Sequence, residues 1–200
     1  IFCVLSGYDG SMLFFLVCIS CWKSLVILRK NCFSLRRELV LVFAFFEISI
    51  FLFTLFFANP FMRSLPNFPL DGRGLNTQLY DLMFFIHPPT IIAGFASIIV
   101  PCCYCLAILI NKKQPCLDLN VIRTPILMSW FILLVGFVSG CFWAYNSIGW
   151  GGWWFWDPIQ NMALLPLIAT TALVHILKYD NIMKGYSGLV SILSTLPFCL

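Results

Sequence analysis

Five stretches of this chain, at roughly 11–28, 39–57, 88–110, 125–145 and 161–177, are nearly unbroken in apolar side chains and almost free of charge. Crossing a hydrocarbon core takes about 20 helical residues. A backbone in lipid must also satisfy its own N–H and C=O groups, which a helix does within one segment. The runs therefore predict an all-α fold, a polytopic transmembrane helix bundle. Composition agrees, because 61% of the 200 residues are hydrophobic and 10% are charged, where a soluble domain carries about a quarter charged. A sixth run begins near Gly188 and is cut short at Leu200, and the chain opens on Ile rather than Met. Residues 1–200 thus read as one membrane domain from a longer protein, with a first span that serves as an uncleaved anchor.

Lys and Arg accumulate on the side of the membrane where synthesis occurs. Arg29, Lys30, Arg36 and Arg37 follow the first span, Lys112, Lys113 and Arg123 the third, and Lys178 and Lys184 the fifth, whereas Arg63 and Arg73 fall on the other side. This places the loop between spans four and five outward, facing periplasm, intermembrane space or lumen. The net charge of +4 reports topology, and no nucleic-acid partner is expected.

Ten cysteines raise the question of a metal or redox site. Cys18 and Cys21 lie within the first span and Cys102, Cys103 and Cys105 within the third, away from loop-compatible zinc spacings and with no nearby His to complete a zinc set. They are expected to act as small apolar side chains in a packed bundle. No CxxCH occurs, so the chain is not itself a c-type cytochrome. Glu47, in the middle of F-F-E-I-S, is the one acid within an apolar run. An intramembrane acid is a functional candidate by default. The sequence offers it no partner, and a neutral or hydrogen-bonded acid is expected.

Two histidines are present. His87 opens H-P-P at the start of the third span. Proline is tolerated in a first helical turn because its missing N–H would be unpaired there, so His87 is expected at the mouth of that helix, level with the loop between spans four and five. His175, in A-L-V-H-I-L-K, lies about 21 Å along the fifth span from Asn161 at about 1.5 Å per residue. The pair cannot share one ligand. Neutral imidazole is a common metal ligand and binds haem iron, and two such centres would each need a further partner. A hydrogen-bonded packing role is the alternative for His175.

The loop itself reads W-G-G-W-W-F-W-D-P at 150–158. An interfacial aromatic belt accounts for one or two indoles but not for Trp150, Trp153, Trp154 and Trp156 together. With helical spacing, Trp150, Trp154 and Asp157 share one face and Trp153 and Trp156 the adjoining one, which makes a broad indole surface. Gly149, Gly151 and Gly152 permit close approach of another flat body, and Pro158 favours an extended Asp157 before the fifth span. A porphyrin fits such a surface, with indole faces on the macrocycle and indole N–H groups, Arg63 or Arg73 on its propionates. Simple solvation is the alternative for the two arginines.

W-G-G-W-W-F-W-D-P-I-Q-N closely resembles the tryptophan-rich WWD signature of haem-handling membrane proteins, and among them the CcmF-type cytochrome c haem lyases. Y-D-G-S-M-L at 8–13, the stretch from Ala58 to Asn76, I-H-P-P-T at 86–90 and T-A-L-V-H at 171–175 match that family in order and spacing, over roughly residues 7–178. Gln160 stands where the family usually has Glu, and Tyr8-Asp9 where it usually has His-Glu.

The resemblance implies that His87 is an axial ligand to substrate haem held over the WWD loop, and that His175 ligates a separate transmembrane haem b. The second ligand of each would lie in a later part of the family's protein. It implies a cytochrome c haem lyase subunit in which haem delivered by a CcmE-type chaperone is joined by thioether bonds to the CxxCH thiols of apocytochrome c. The implied partners are a second chain carrying the C-terminal portion of the lyase, the haem chaperone, apocytochrome c, thiol-reducing maturation factors and membrane lipid. The setting implied is the mitochondrial inner membrane with the loop facing the intermembrane space, or a bacterial inner membrane with the loop facing the periplasm. A haem transporter or haem-presenting relative, and a non-catalytic structural subunit of a membrane complex, are the alternatives.

Overall fold

The computed structural model describes residues 7–29, 35–62, 81–111, 119–147 and 152–177. Arg63, Arg73, Trp150, Gly149, Gly151 and the sixth apolar run at 188–200 lie outside the described residues. Within them the chain forms α1 (Tyr8–Ile27), α2 (Arg36–Phe57), α3 (Met83–Ile110), α4 (Leu119–Ser147) and α5 (Pro158–Ile176), with no strand among the described residues. All five are long and apolar enough to cross a membrane. Each begins several residues before its apolar run, because polar residues such as Asp9 and Glu38 occupy first helical turns.

The centre of the bundle is α3. Every residue from Ala96 to Cys105 is buried, the pattern of a helix that is apolar all round and enclosed by protein. It packs against α1, α2 and α4, while α5 packs on α4 and α1 on α2. The main core gathers Ile19 of α1, Leu39 and Phe43 of α2, Ile99, Cys103 and Tyr104 of α3, Ile122 and Ile126 of α4, and Leu173 of α5. A smaller cluster of Ile98, Leu133 and Leu167 lies nearer the loop end. Cys102, Cys103 and Cys105 are buried, the last two in the main core, in keeping with their placement in an apolar span, whereas Cys21 is exposed.

Lipid tails are as apolar as leucine, so helices in a bilayer associate through close packing and hydrogen bonds rather than through removal of water. Small residues provide the first. A Cβ on Gly136 would sit 2.8 Å from the Ile91 Cα, and one on Gly94 would sit 3.0 Å from the Leu133 Cδ2, so α3 and α4 meet backbone to backbone. Cross-helix hydrogen bonds provide the second. Trp22 Nε1 donates to the Ala93 carbonyl at 3.4 Å, Ser129 Oγ to the Ser97 carbonyl at 2.8 Å, and Trp130 Nε1 to Thr171 Oγ1 at 2.9 Å. Each contributes about 0.6 kcal/mol on average. The lipid-facing side of α2 carries exposed Phe45, Ile48, Phe51, Phe53 and Phe56.

Glu47 is a hydrogen-bonded acid, as expected, and it has a charged partner that the sequence did not reveal. Its Oε2 accepts from Lys23 Nζ at 2.5 Å and its Oε1 from Ser20 Oγ at 3.0 Å. The partner was hidden because it lies on another helix, 24 residues away. Arg36 completes the α1–α2 corner by donating from Nη2 to the Ile27 carbonyl at 3.1 Å, at the carbonyl-rich end of α1.

Candidate functional site

The site is built where the start of α3, the end of α4 and the start of α5 share one end of the bundle. Asp81 ties the first two. Its Oδ1 accepts from the Met83 N–H at 2.7 Å, and its Oδ2 accepts from Ser147 Oγ at 3.0 Å. With this acceptor at its head α3 begins at Met83, so His87 stands in the second turn and Pro88 and Pro89 lie inside the helix. The H-P-P pattern alone placed His87 at the helix mouth. The Asp81 contacts extend the helix upstream of the prolines and outweigh the pre-proline preference for extended backbone.

His87 is half-buried and held from three directions. Its Nδ1 lies 2.9 Å from the Gly136 carbonyl oxygen. Trp143 packs beside the ring at 5.7 Å between centroids, backed by Phe84 at 6.4 Å. Gly140 supplies the remaining clearance, since a Cβ there would stand 2.5 Å from the imidazole Cε1. A carbonyl oxygen can only accept, so Nδ1 carries the proton, and Nε2 of the neutral ring keeps its lone pair. That is the arrangement by which proteins present a histidine to a metal.

Residues 152–157 form an open loop rather than the helix expected from Trp spacing. Trp156 has φ 55, in the left-handed region that bulky residues rarely adopt. Two side-chain contacts brace that turn. Gln160 Oε1 accepts the Phe155 N–H at 3.2 Å, and Asn161 Nδ2 donates to the Trp156 carbonyl at 3.1 Å. Asp157, extended at φ −61 and ψ 141, caps α5 by accepting the Ile159 N–H at 3.1 Å, with Pro158 at the first helical position.

The described indoles divide between two flanks of α4 instead of making one sheet. Trp153 stacks on Tyr145 at 5.6 Å and 18° and also meets Phe142. Trp154 packs on Phe137 at 5.5 Å and meets Trp156 edge-on at 5.6 Å. Gly152 does permit the close approach of a flat body, but the body is the loop's own Phe155, whose ring lies 2.9 Å from where a Cβ would be.

Beneath this loop is a cavity of about 400 Å³. Its walls are His87, Ile91 and Phe95 of α3, Phe137, Gly140, Cys141, Trp143 and Ala144 of α4, and Asp157 with Ile159, Gln160, Met162 and Ala163 at the head of α5. A few polar groups on an apolar and aromatic wall are the usual make-up of a small-molecule site. Trp143 Nε1 is buried with no hydrogen-bond partner, a donor left in reserve.

Of the residues singled out from sequence, His87 and Asp157 are brought to this cavity, and Trp153, Trp154, Trp156 and Gly152 form the loop beside it. Trp150, Gly151, Arg63 and Arg73 lie outside the described residues. His175 stands in the last turn of α5, at the opposite end from His87, with its side chain exposed. Among the described residues no group of three or more His, Cys, Asp or Glu side chains is placed to hold a metal ion. Sequence reasoning missed Gly136, Gly140, Phe137 and Trp143. The signal for the glycines was the G-F-V-S-G stretch at 136–140, a small-xxx-small helix-contact pattern.

Membrane-length helices that enclose an aromatic-walled cavity lined by His87 define an integral membrane protein of the polytopic helix-bundle class. The chain belongs to the cytochrome c assembly family: the family described as "Cytochrome C assembly protein" matches residues 5–200. It is 33% identical to the cytochrome c-type biogenesis protein CcmF of Haemophilus influenzae over 98% of this chain and 31% of that one. It is 32% identical to the Escherichia coli protein of the same name, over 97% and 30%. To the biogenesis protein NrfE of Haemophilus influenzae it is 36% identical, over 96% and 30%. A solved structure titled "Cytochrome c Heme Lyase CcmF" shares the fold at TM-score 0.76 and 22% identity, covering 96% of this chain and 30% of that one. The chain thus spans about 30% of the length of the curated relatives it matches.

Proposed function

We propose that this chain is the haem-holding part of a CcmF-type cytochrome c haem lyase, with substrate haem seated in the cavity beneath the 152–157 loop and His87 bound to its iron. The observation that carries the reading is the hydrogen bond from His87 Nδ1 to the Gly136 carbonyl at 2.9 Å, which leaves Nε2 as a lone-pair donor on the wall of an aromatic cavity. The site also suits the ligand's edges, because Trp143 holds an unpartnered indole N–H and a propionate is an acceptor.

Substrate haem contributes an iron that takes an imidazole and vinyl groups across which cysteine thiols add. The chain's own residues orient and exclude water. His87 fixes the iron's position from α3, Phe137 and Trp154 form a dry aromatic flank, and Asp157 with Gln160 holds the loop in register with α5. Catalysis of this kind rests on holding reacting groups in place, and none of these residues needs to exchange a proton with the substrate.

His175 suits a second, resident haem b. Its imidazole is exposed in a helix of membrane-spanning length, and among the described residues no hydrogen bond reaches it. A polar ring so placed calls for a partner, which the iron of a bound haem would supply. A haem bound there would supply one-electron redox chemistry. In this reading the C-terminal portion of the lyase is a second polypeptide, a CcmE-type chaperone delivers haem, and apocytochrome c presents thiols kept reduced by maturation factors. The setting is the mitochondrial inner membrane with the loop facing the intermembrane space.

The test is a pyridine-haemochrome spectrum of the purified complex. His175→Ala is expected to lose b-type haem while His87→Ala retains it and loses haem loaded from the chaperone. Unchanged haem in His175→Ala would remove the second assignment, and undiminished loading in His87→Ala the first.

A further inference from the structure

We propose that Gly136, Ser139 and Gly140 are positioning residues for His87: they hold its imidazole in the Nδ1–H tautomer, and Ser139 sets how strongly the Gly136 carbonyl binds it. Three independent contacts on one turn of α4 carry this. The Gly136 carbonyl oxygen lies 2.9 Å from His87 Nδ1. The same oxygen accepts from Ser139 Oγ at 2.8 Å. The position of a Cβ on Gly140 falls 2.5 Å from the ring Cε1, 2.8 Å from Nδ1 and 3.2 Å from Nε2.

Gly140 acts by what it lacks. Any side chain there would push the ring off the Gly136 carbonyl, and Trp143, packed beside the imidazole, limits where it can go. A displaced ring is free to carry its proton on Nε2, which removes the lone pair from the nitrogen that must bind a metal. Ser139 acts through competition. The Ser139 hydroxyl and the His87 ring compete for one oxygen that also belongs to the backbone ladder of α4, so the hydroxyl weakens the hold of the carbonyl on Nδ1–H. Without the hydroxyl that hydrogen bond strengthens, electron density moves through the ring to Nε2, and Nε2 becomes a stronger donor.

The hydrogen-bond claim is independent of haem, and its consequence for iron rests on the reading of His87 given above. The haem-free complex, with 15N-histidine in this chain and His87→Ala to assign the signal, is examined by solid-state NMR. A protonated Nδ1 and a bare Nε2 are expected in the wild type. Gly140→Ala is expected to move the population toward the Nε2–H tautomer, and Ser139→Ala to shift the Nδ1 proton toward the stronger-bond side. In the haem-loaded complex Ser139→Ala is expected to make the iron midpoint potential more negative, with Ser139→Thr returning it to the wild-type value.

An Nε2–H tautomer in the wild type overturns the proposal, as does a His87 signal unchanged by Ser139→Ala. That variant removes a hydroxyl and adds no volume, so it carries the test alone should Gly140→Ala fail to assemble. If the NMR result holds while His87→Ala loads haem as the wild type does, the positioning role stands and the assignment of His87 to iron falls.

Discussion

Lys23 of α1 and Glu47 of α2 form an ion pair inside the membrane-spanning bundle, with side chains 28% and 17% exposed, and Ser20 donates to the second carboxylate oxygen. A lysine this near the end of its helix would ordinarily extend toward the interface. Here it is held on a carboxylate in the middle of α2, which fixes the register of the first two helices.

Removing one partner leaves the other charge alone in a low-dielectric setting. Glu47→Ala is expected to destabilise the α1–α2 corner by about 2–3 kcal/mol. Lys23→Leu combined with Glu47→Leu is expected to recover most of that loss, because it removes both half-buried charges. Thermal unfolding of the detergent-solubilised complex checks this. Additive losses in the double variant would count against a direct pair.

Two glycines at the α3–α4 contact should respond differently to the same methyl group. Alanine gains about 1 kcal/mol of helix propensity over glycine. At Gly94 the added atom would lie 3.0 Å from the Leu133 Cδ2 and 3.1 Å from its Cα, so the neighbour must give by only a few tenths of an ångström, and Gly94→Ala is expected within about 1 kcal/mol of wild type. At Gly136 the added atom meets the Ile91 backbone at 2.8 Å. The helices must part, at a net loss of about 1–3 kcal/mol. Melting temperatures of the two variants compared side by side decide the order.

Asp157 accepts the Ile159 N–H at the head of α5. Asp157→Ala is expected to cost about 1 kcal/mol through loss of the cap, and Asp157→Asn to restore it, since an amide oxygen accepts as well. Hydrogen exchange at Ile159 gives a local readout: protection should fall in the alanine variant and return with asparagine.

Trp143 buries an indole N–H without a partner. An unmet donor costs about 1–3 kcal/mol, so Trp143→Phe is expected to leave the haem-free protein at least as stable as wild type. If that donor meets a haem propionate, the same variant should bind haem more weakly. Haem titration alongside a melting curve separates the two effects, and a clear loss of stability without haem would show that the N–H has a partner after all.

The five spans were legible because a bilayer imposes one rule on every crossing segment: it must be apolar along its whole length and close its own hydrogen bonds. The family was legible for a related reason, since the WWD stretch and the H-P-P and A-L-V-H segments are contiguous and their order survives in one dimension. Gln160, marked in sequence as a departure from the usual Glu, found a role in three dimensions as the acceptor that braces the Phe155 N–H.

What sequence could determine by itself was therefore whatever is written along a single segment: helix existence, apolarity, the two histidines and the cluster of indoles. Only the tertiary structure decided which side chains from different helices meet. It paired Glu47 with Lys23, gave residues 152–157 as a braced loop instead of a helix, and divided Trp153 from Trp154 and Trp156 between two flanks of α4. It also set Gly136 and Gly140 against His87. Each of these depends on helix rotation and approach distance, which the packing of small residues fixes and which hydropathy along one strand of sequence does not encode.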